Sequence, residues 1–423
     1  MDKLAINGGA PVIDYKFKTY NTIGAEEKNA VLEVINSGIL SKFVGAWGEN
    51  FNGGPKVRLF EEACEKKFNV RHAISVNSWT SGLICAVGAL DINPGDEIIL
   101  SPWTMSACAA SILHWGAIPI FADIESETFN LDPSSIEKNI SKKTKAILAI
   151  DIFGHSCDID RIKEIANKHS LKIITDSAQA PGAKNKGRVT GTIGDIGGFS
   201  LNYHKHIHTG EGGIIVTNND YYADRIRLIR NHAESAAKGS GVNNYANLIG
   251  YNFRLGEIES AIGIEQLKKL DSLVERKRKN AKQLNEHLTN LKGIQLPLVK
   301  NENSHSYYVY PLVLNLDILN TTREKIINAL KSEGVQGLMA GYVNIHLLPA
   351  FQKKIAYGSE GFPWTYEKSR DNISYNKGIC PVAEKLHSET FLGLEICDFD
   401  LSIKDIQNIG FAFSKVWKNL NEL

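Results

Sequence analysis

Along the first half of the chain, short apolar runs rich in β-branched residues alternate with longer stretches of helical period. HAISVN opens the series at residue 72, and SGLICAVGAL, DEIILS, MSACAASILHWG and IPIFAD follow in order. Runs of the first kind read as buried strands and those between them as helices, which predicts βαβ units and a mostly parallel sheet. KAILAIDI, the polar helix DIDRIKEIANKHS and KIITDS continue the pattern. The turns NPGD at 93–96 and GHSCD at 154–158 supply the Gly, Pro, Asp and Ser that punctuate it. No short internal repeat or low-complexity tract interrupts the series.

After GGFSLNY (197–203) and GGIIVTN (212–218) the pattern turns helical. Residues 256–288 form one long charged, heptad-like run, suited to linking a large domain to a smaller one. The boundary is placed near residue 270, giving a large domain with an N-terminal arm over 1–270 and a small C-terminal domain over 271–423. SYYVYPLVLNL and TTREKIINALKSEG then begin a new strand-and-helix unit. Residues 343–378, rich in Tyr, Phe, Trp, Gly and Ser, show no clear period and predict an irregular excursion at the surface or an interface.

Composition narrows the function classes. With 43% hydrophobic and 22% charged residues the chain has ample material for a core, which argues against disorder. Its 48 Lys and Arg against 47 Asp and Glu leave a net charge of +1, so no global field draws it to nucleic acid or an anionic membrane. The opening MDKLAINGGAPVIDYKF lacks the apolar run of a secretory signal, and no stretch of roughly 18 uncharged apolar residues predicts a membrane span. The expected location is the cytoplasm. Six cysteines stand far apart with no C-x-x-C pair, and read as small buried hydrophobes rather than zinc or redox centres.

The densest chemistry lies in FSLNYHKHIHTGEGGIIVTN, residues 199–218. A lysine that condenses with an aldehyde needs a partly desolvated place at the end of a rigid element, where burial frees its amine. Lys205, after a strand-like run and before a glycine-rich turn, fits that need. Two other readings of the same stretch stand beside it. A lysine before a glycine turn is commonly a solvated loop residue, and His204, His206 and His208 alternate at strand spacing, as zinc ligands on one face do. Upstream, Asp176 ends the strand KIIT, where a carboxylate either caps the next helix or bonds the protonated ring nitrogen of pyridoxal phosphate (PLP). In VNSWTSGL (76–83) a strand passes to a helix through small hydroxyl residues, either an ordinary N-cap or a seat for a phosphate.

Together these stretches resemble the DegT/DnrJ/EryC1/StrS family of PLP-dependent aminotransferases, of fold type I. The likeness runs from the INGG start through GYNFRLGEIESAIG (250–263) to CPVAEKL (380–386). It implies an α/β fold: a large domain with a mostly parallel, mixed seven-stranded sheet flanked by helices, and a smaller α+β C-terminal domain. Lys205 matches the family's Schiff-base lysine, which also shuttles the proton between substrate and cofactor. Asp176 matches the partner of the pyridinium nitrogen, and Gln179 the residue that bonds the ring hydroxyl. Thr80 and Ser81 match the phosphate-binding turn, Ser200 a serine that contacts the phosphate, and Asn252 an asparagine that reaches it from the neighbouring subunit. Arg254 matches an arginine on the substrate side. The shared site implies a homodimer.

The chain departs from the family pattern at three places. Trp79-Thr80-Ser81-Gly82 stands where Gly-Thr-Ala-Ala is usual. In SPWTMSAC (101–108) Met105 falls where an aromatic ring stacks on the cofactor, which leaves Met105 and Trp103 as alternatives for that role. KFVGAWGENFNGGP (42–55) is an insertion placed to shape access of substrate. A lysine rather than a histidine at 205 separates the chain from the family's dehydratase branch. The resemblance thus implies amino transfer, with no metal, from glutamate or glutamine to a ketone. The acceptor it implies is a nucleotide-linked keto-deoxy sugar for surface polysaccharide or a natural product. A small phosphorylated ketone, and a dehydratase or lyase of the same fold, are the alternatives.

Overall fold

The β-branched runs pair edge to edge, as strands apolar on both faces must. In the computed structural model, which describes residues 3–300 and 302–423, the first half of the chain supplies β1 (His72–Val76), β2 (Glu97–Leu100), β3 (Ile118–Phe121), β4 (Thr144–Ile150) and β5 (Lys172–Asp176). Two short strands, β6 (Lys184–Asn185) and β7 (Arg188–Val189), form a separate hairpin before β8 (Ile196–Ser200) and β9 (Gly213–Thr217). Seven of these make one sheet in the order β1-β9-β8-β5-β4-β2-β3. The five strands from β8 to β3 run parallel, and β9 is antiparallel to both its neighbours. This is the mixed, mostly parallel seven-stranded sheet that the resemblance implies.

Helices cover both faces, so successive residues of one strand enter different cores. Ile215 packs with Trp79, Leu83 and Val87 of the helix Trp79–Ala89, whereas Ile214 and Val216 pack with Phe60, Cys64 and Phe68 of the helix Pro55–Phe68. Burial on both sides explains why these strands read as unbroken apolar runs rather than alternations. All six cysteines are free and buried.

A single helix, Glu257–Leu288, passes unbroken through residue 270. It packs on the helices Ala25–Ser37 and Pro55–Phe68 and on the C-terminal helix Ile403–Lys418. Beyond it lie β10 (Ile294–Gln295), β11 (Asn303–Ser304), β12 (Tyr310–Leu314), β13 (Leu338–Ala340) and β14 (Phe391–Leu394). Four of these form an antiparallel sheet, β10-β12-β14-β13, whereas β11 joins the β6–β7 hairpin. Leu4, Ile13 and Phe17 belong to the core of this second sheet, beside Leu288, Leu330 and Phe413. Glu333 fastens them there, accepting from the backbone N–H groups of Ala5 at 2.8 Å and Val12 at 3.1 Å. The arm at the start of the chain therefore packs with the C-terminal unit, a pairing that local periodicity does not encode.

Residues 343–378 are mostly irregular and lie along the outer edge of β3. Tyr375 donates its hydroxyl to the Pro119 carbonyl at 2.8 Å, and Arg370 pairs with the buried Glu97 at 2.7 Å. The excursion covers a sheet edge that would otherwise present unpaired backbone groups. No helix among the described residues is long and apolar enough to cross a membrane.

Candidate active site

Three parallel strands end together on one side of the sheet. Register places Ile150 of β4 opposite Asp176 of β5, and Asp176 opposite Gly198 of β8. In open α/β sheets ligands bind in the crevice beyond such carboxyl ends, and a cavity of about 260 Å³ lies there. Thr80, Met105, Asp176, Gln179, Ser200 and Lys205 all line it.

Lys205 lies in the connection between β8 and β9. Its backbone N–H donates to Asn202 O at 2.9 Å, while Leu201 and Gly212 close the base of the loop. The side chain is 7% exposed. Burial lowers its pKa to about 8, against smaller opposing pulls from Asp176, Cys397 and Asp398. Among the described residues its Nζ forms no ion pair, and it faces the Tyr308 ring at 4.2 Å. Burial thus brings the neutral amine within reach of a mildly alkaline pH, about 8 rather than 10.5, which the solvated-loop reading does not provide.

Asp176, at the end of β5, is held by hydrogen bonds in the cavity wall. Its Oδ1 accepts from Trp79 Nε1 at 2.8 Å and from the Ala178 N–H at 3.0 Å, and Cys108 Sγ lies 3.1 Å from Oδ2. Gln179 is held at both ends: its Oε1 accepts from the Phe153 N–H at 2.8 Å and its Nε2 donates to Tyr342 at 3.3 Å. Ser78 caps the helix Trp79–Ala89 by accepting from the Ser81 N–H, and this helix start lines the cavity through Ser78, Trp79 and Thr80, with Ser200 also in the lining.

The remaining candidates stand elsewhere. Ser81 is turned back to donate to Asn77 Oδ1 at 2.7 Å and does not line the cavity. Trp103 is fully buried between Phe129, Tyr342 and Phe391, whereas Met105, 60% exposed, lines the cavity. Asn252 and Arg254 lie outside it, bonded to each other at 2.7 Å. They are tied to the helix start through the Asn77 N–H, which donates to Phe253 O at 2.8 Å. In the 42–55 segment, Phe43 packs under the guanidinium groups of Arg230 and Arg254.

The three histidines diverge. His204 lines the cavity and is held down to about pKa 4 by burial and by Lys205. His206 is fully buried with Nε2 at 2.8 Å from Ser306 O, and the His208 N–H donates to Gln266 Oε1 at 3.3 Å. Their alternation follows a strand spacing, but the segment is a looped connection, so they share no face. Sequence reasoning missed Tyr308 and Tyr342, which come from the C-terminal half and line the cavity. No local signal marks them, since only the chain's return across the sheet brings them to Lys205.

A buried lysine and a carboxylate at the carboxyl ends of a mixed parallel sheet define the class as an α/β enzyme of the PLP-transferase architecture. Residues 21–390 match the model of the DegT/DnrJ/EryC1/StrS aminotransferase family, and the chain belongs to that family. It is 35% identical to the spore coat polysaccharide biosynthesis protein SpsC of Bacillus subtilis, over 81% of this chain and 86% of that protein. It is 34% identical to the GDP-perosamine synthase of Caulobacter vibrioides, over 69% of this chain and 77% of that one. The solved structure of Helicobacter pylori PseC, an aminotransferase involved in the biosynthesis of pseudoaminic acid, superposes with a TM-score of 0.78 at 27% identity. That match covers 96% of this chain and all of the other.

Proposed function

We propose that the chain is a PLP-dependent aminotransferase that moves an amino group from L-glutamate to the ketone of a nucleotide-linked keto-deoxy sugar, in the making of a surface polysaccharide or natural product. One observation carries this reading: a buried amine, Lys205, with no ion pair among the described residues, and a carboxylate, Asp176, line the same cavity at the strand ends. The names of the relatives point the same way, since GDP-perosamine synthase and PseC act in amino-sugar chemistry.

The donor set fits PLP. An amine suits its aldehyde, a carboxylate its ring nitrogen, the amide of Gln179 its ring hydroxyl, and the helix start with Thr80 and Ser200 its phosphate. Met105, rather than the core residue Trp103, has the position to cover the ring. When bound, PLP supplies an electron sink that stabilises negative charge at the substrate carbon. The protein's own part is positional and acid–base. Lys205 Nζ, neutral over a usable pH range because it is buried, takes a proton from the donor carbon and returns one to the acceptor carbon. Asp176 stays fixed by its hydrogen bonds. Tyr308 and Tyr342 wall the reacting amine from bulk water.

Several finer points belong to the same proposal: a homodimer in which Asn252 and Arg254 serve the partner's site, a large unit ending near residue 270, and a cytoplasmic location. Asn252 is exposed and Arg254 half-buried, and both lie outside the cavity of their own chain, which supports a role across an interface. Incubation of the protein with PLP, glutamate and a panel of keto-sugar nucleotides tests the function. The expected result is 2-oxoglutarate in step with a product carrying an amine in place of the ketone. Release of water from the acceptor without 2-oxoglutarate would instead indicate a dehydratase.

A further inference from the structure

Trp79 stands where the family pattern has glycine, and it does not point to solvent. Its side chain is 5% exposed and its Nε1 reaches Asp176 Oδ1 at 2.8 Å. The surroundings are shaped around this ring. A Cβ at Gly198 would stand 2.2 Å from Trp79 Cζ3, one at Gly82 2.7 Å from Cε3, and one at Gly213 2.9 Å from the Trp79 Cα. Gly198 on β8 and Gly82 on the helix itself thus leave a slot for an indole that ends on the carboxylate, and Gly213 on β9 lets the backbone of the helix start approach the sheet.

The two oxygens of Asp176 are treated differently. Oδ1 accepts two N–H bonds, from Trp79 and from Ala178. Among the described residues Oδ2 has only the Cys108 thiol, a weak donor, at 3.1 Å. That thiol has a second neighbour, Thr104 Oγ1, at 3.4 Å. A carboxylate turns readily about its last torsion, and hydrogen bonds to an ionised oxygen are the strong ones. Two on one oxygen pin the plane of the group and leave the other oxygen free to meet a cation.

We propose that Trp79 is a positioning residue acting through Asp176: its indole N–H fixes Oδ1 so that Oδ2 is presented to the ring nitrogen of the cofactor. The proposal rests on the assignment of the cavity to PLP. It gives the tryptophan a role in cofactor affinity and ring protonation, beyond filling space.

The test is PLP binding by the apoprotein, with borohydride reduction and peptide mapping on each variant. Trp79→Phe keeps an aromatic ring in the slot and removes the N–H. PLP affinity should fall on the order of tenfold, with the label still on Lys205. In an Asp176→Asn background the same change should alter affinity by less than about twofold, because the contact it removes no longer serves an ionised carboxylate. Benzothienylalanine at position 79 has the shape of tryptophan with sulfur in place of N–H, and it should reproduce the loss. It also decides the question if the phenylalanine variant does not fold. Affinity within about twofold of the parent for either replacement, or full additivity with Asp176→Asn, would overturn the proposal. A label absent from Lys205 in the parent protein would instead overturn the PLP assignment beneath it.

Discussion

Lys205 Nζ lies 4.2 Å from the centroid of the Tyr308 ring, so the amine on which the site depends meets a π surface rather than a carboxylate. A ring face attracts a cation by about 0.5–2 kcal/mol, less than a buried counter-ion does. It therefore shields the amine without locking it in the protonated form. Replacing Tyr308 with Leu removes this attraction, and the pKa of Lys205 should fall by about half to one unit. Tyr308→Phe retains the ring and should leave it nearly unchanged. The pH dependence of PLP uptake by the two apoproteins separates them, and equal midpoints would show that the ring has no electrostatic part.

The same lysine links stability to pH. Its folded pKa is lowered from 10.5 to about 8 by burial. Below the folded value both states are protonated and the native state bears the cost of a buried charge. Between about pH 8 and 10.5 the unfolded chain still holds the proton that the folded one has released, so this group's contribution to stability rises with pH across that window. Apoprotein carrying Lys205→Met should accordingly be more stable than wild type near neutral pH, with the advantage shrinking toward pH 10. Urea unfolding at the two ends of the window measures it, and a gap that widened with pH would contradict the sign.

Gly198 offers a packing test. A Cβ there would stand 2.2 Å from both the Ile214 carbonyl oxygen and the Trp79 ring. One partner is sheet backbone and the other a buried ring, so neither gives way cheaply. Gly198→Ala should destabilise the protein by about 1–3 kcal/mol, read as a fall in the urea midpoint. No change would mean that the slot around Trp79 is looser than its geometry indicates.

Beneath Phe43, Arg230 is fully buried and pairs with Glu61 at 2.6 Å. Glu61 also accepts from the Ser75 N–H and hydroxyl on β1. Glu61→Gln leaves the guanidinium without its carboxylate, at a cost of about 3–5 kcal/mol for a pair this deep. Thermal unfolding of the variant checks it, and a loss under about 1 kcal/mol would place the ion pair among weak surface pairs.

The sheet was legible because strands buried on both faces write themselves as apolar runs, as in KAILAIDI and GGIIVTN. The loop carrying Lys205 was legible through its glycines and its place between two such runs. Trp79 and Met105 were visible only as departures from a family pattern, and their contacts needed coordinates. Tyr308, Tyr342 and Glu333 were hidden for another reason. Each acts on a residue far away in the chain, Lys205, Gln179 and the Ala5 backbone respectively, and neither period nor turn chemistry encodes such distant contacts. The three-histidine alternation does not put the rings on one face, because a period of two means one face only where the backbone is a strand, and residues 201–212 are not one.

The central claim is that Lys205 is the amine that joins the cofactor. Borohydride reduction of PLP-treated protein followed by peptide mapping by mass spectrometry tests it directly. The account predicts one pyridoxyl group per chain, on Lys205. A label on a different lysine, or stable activity with no label on any, would contradict it.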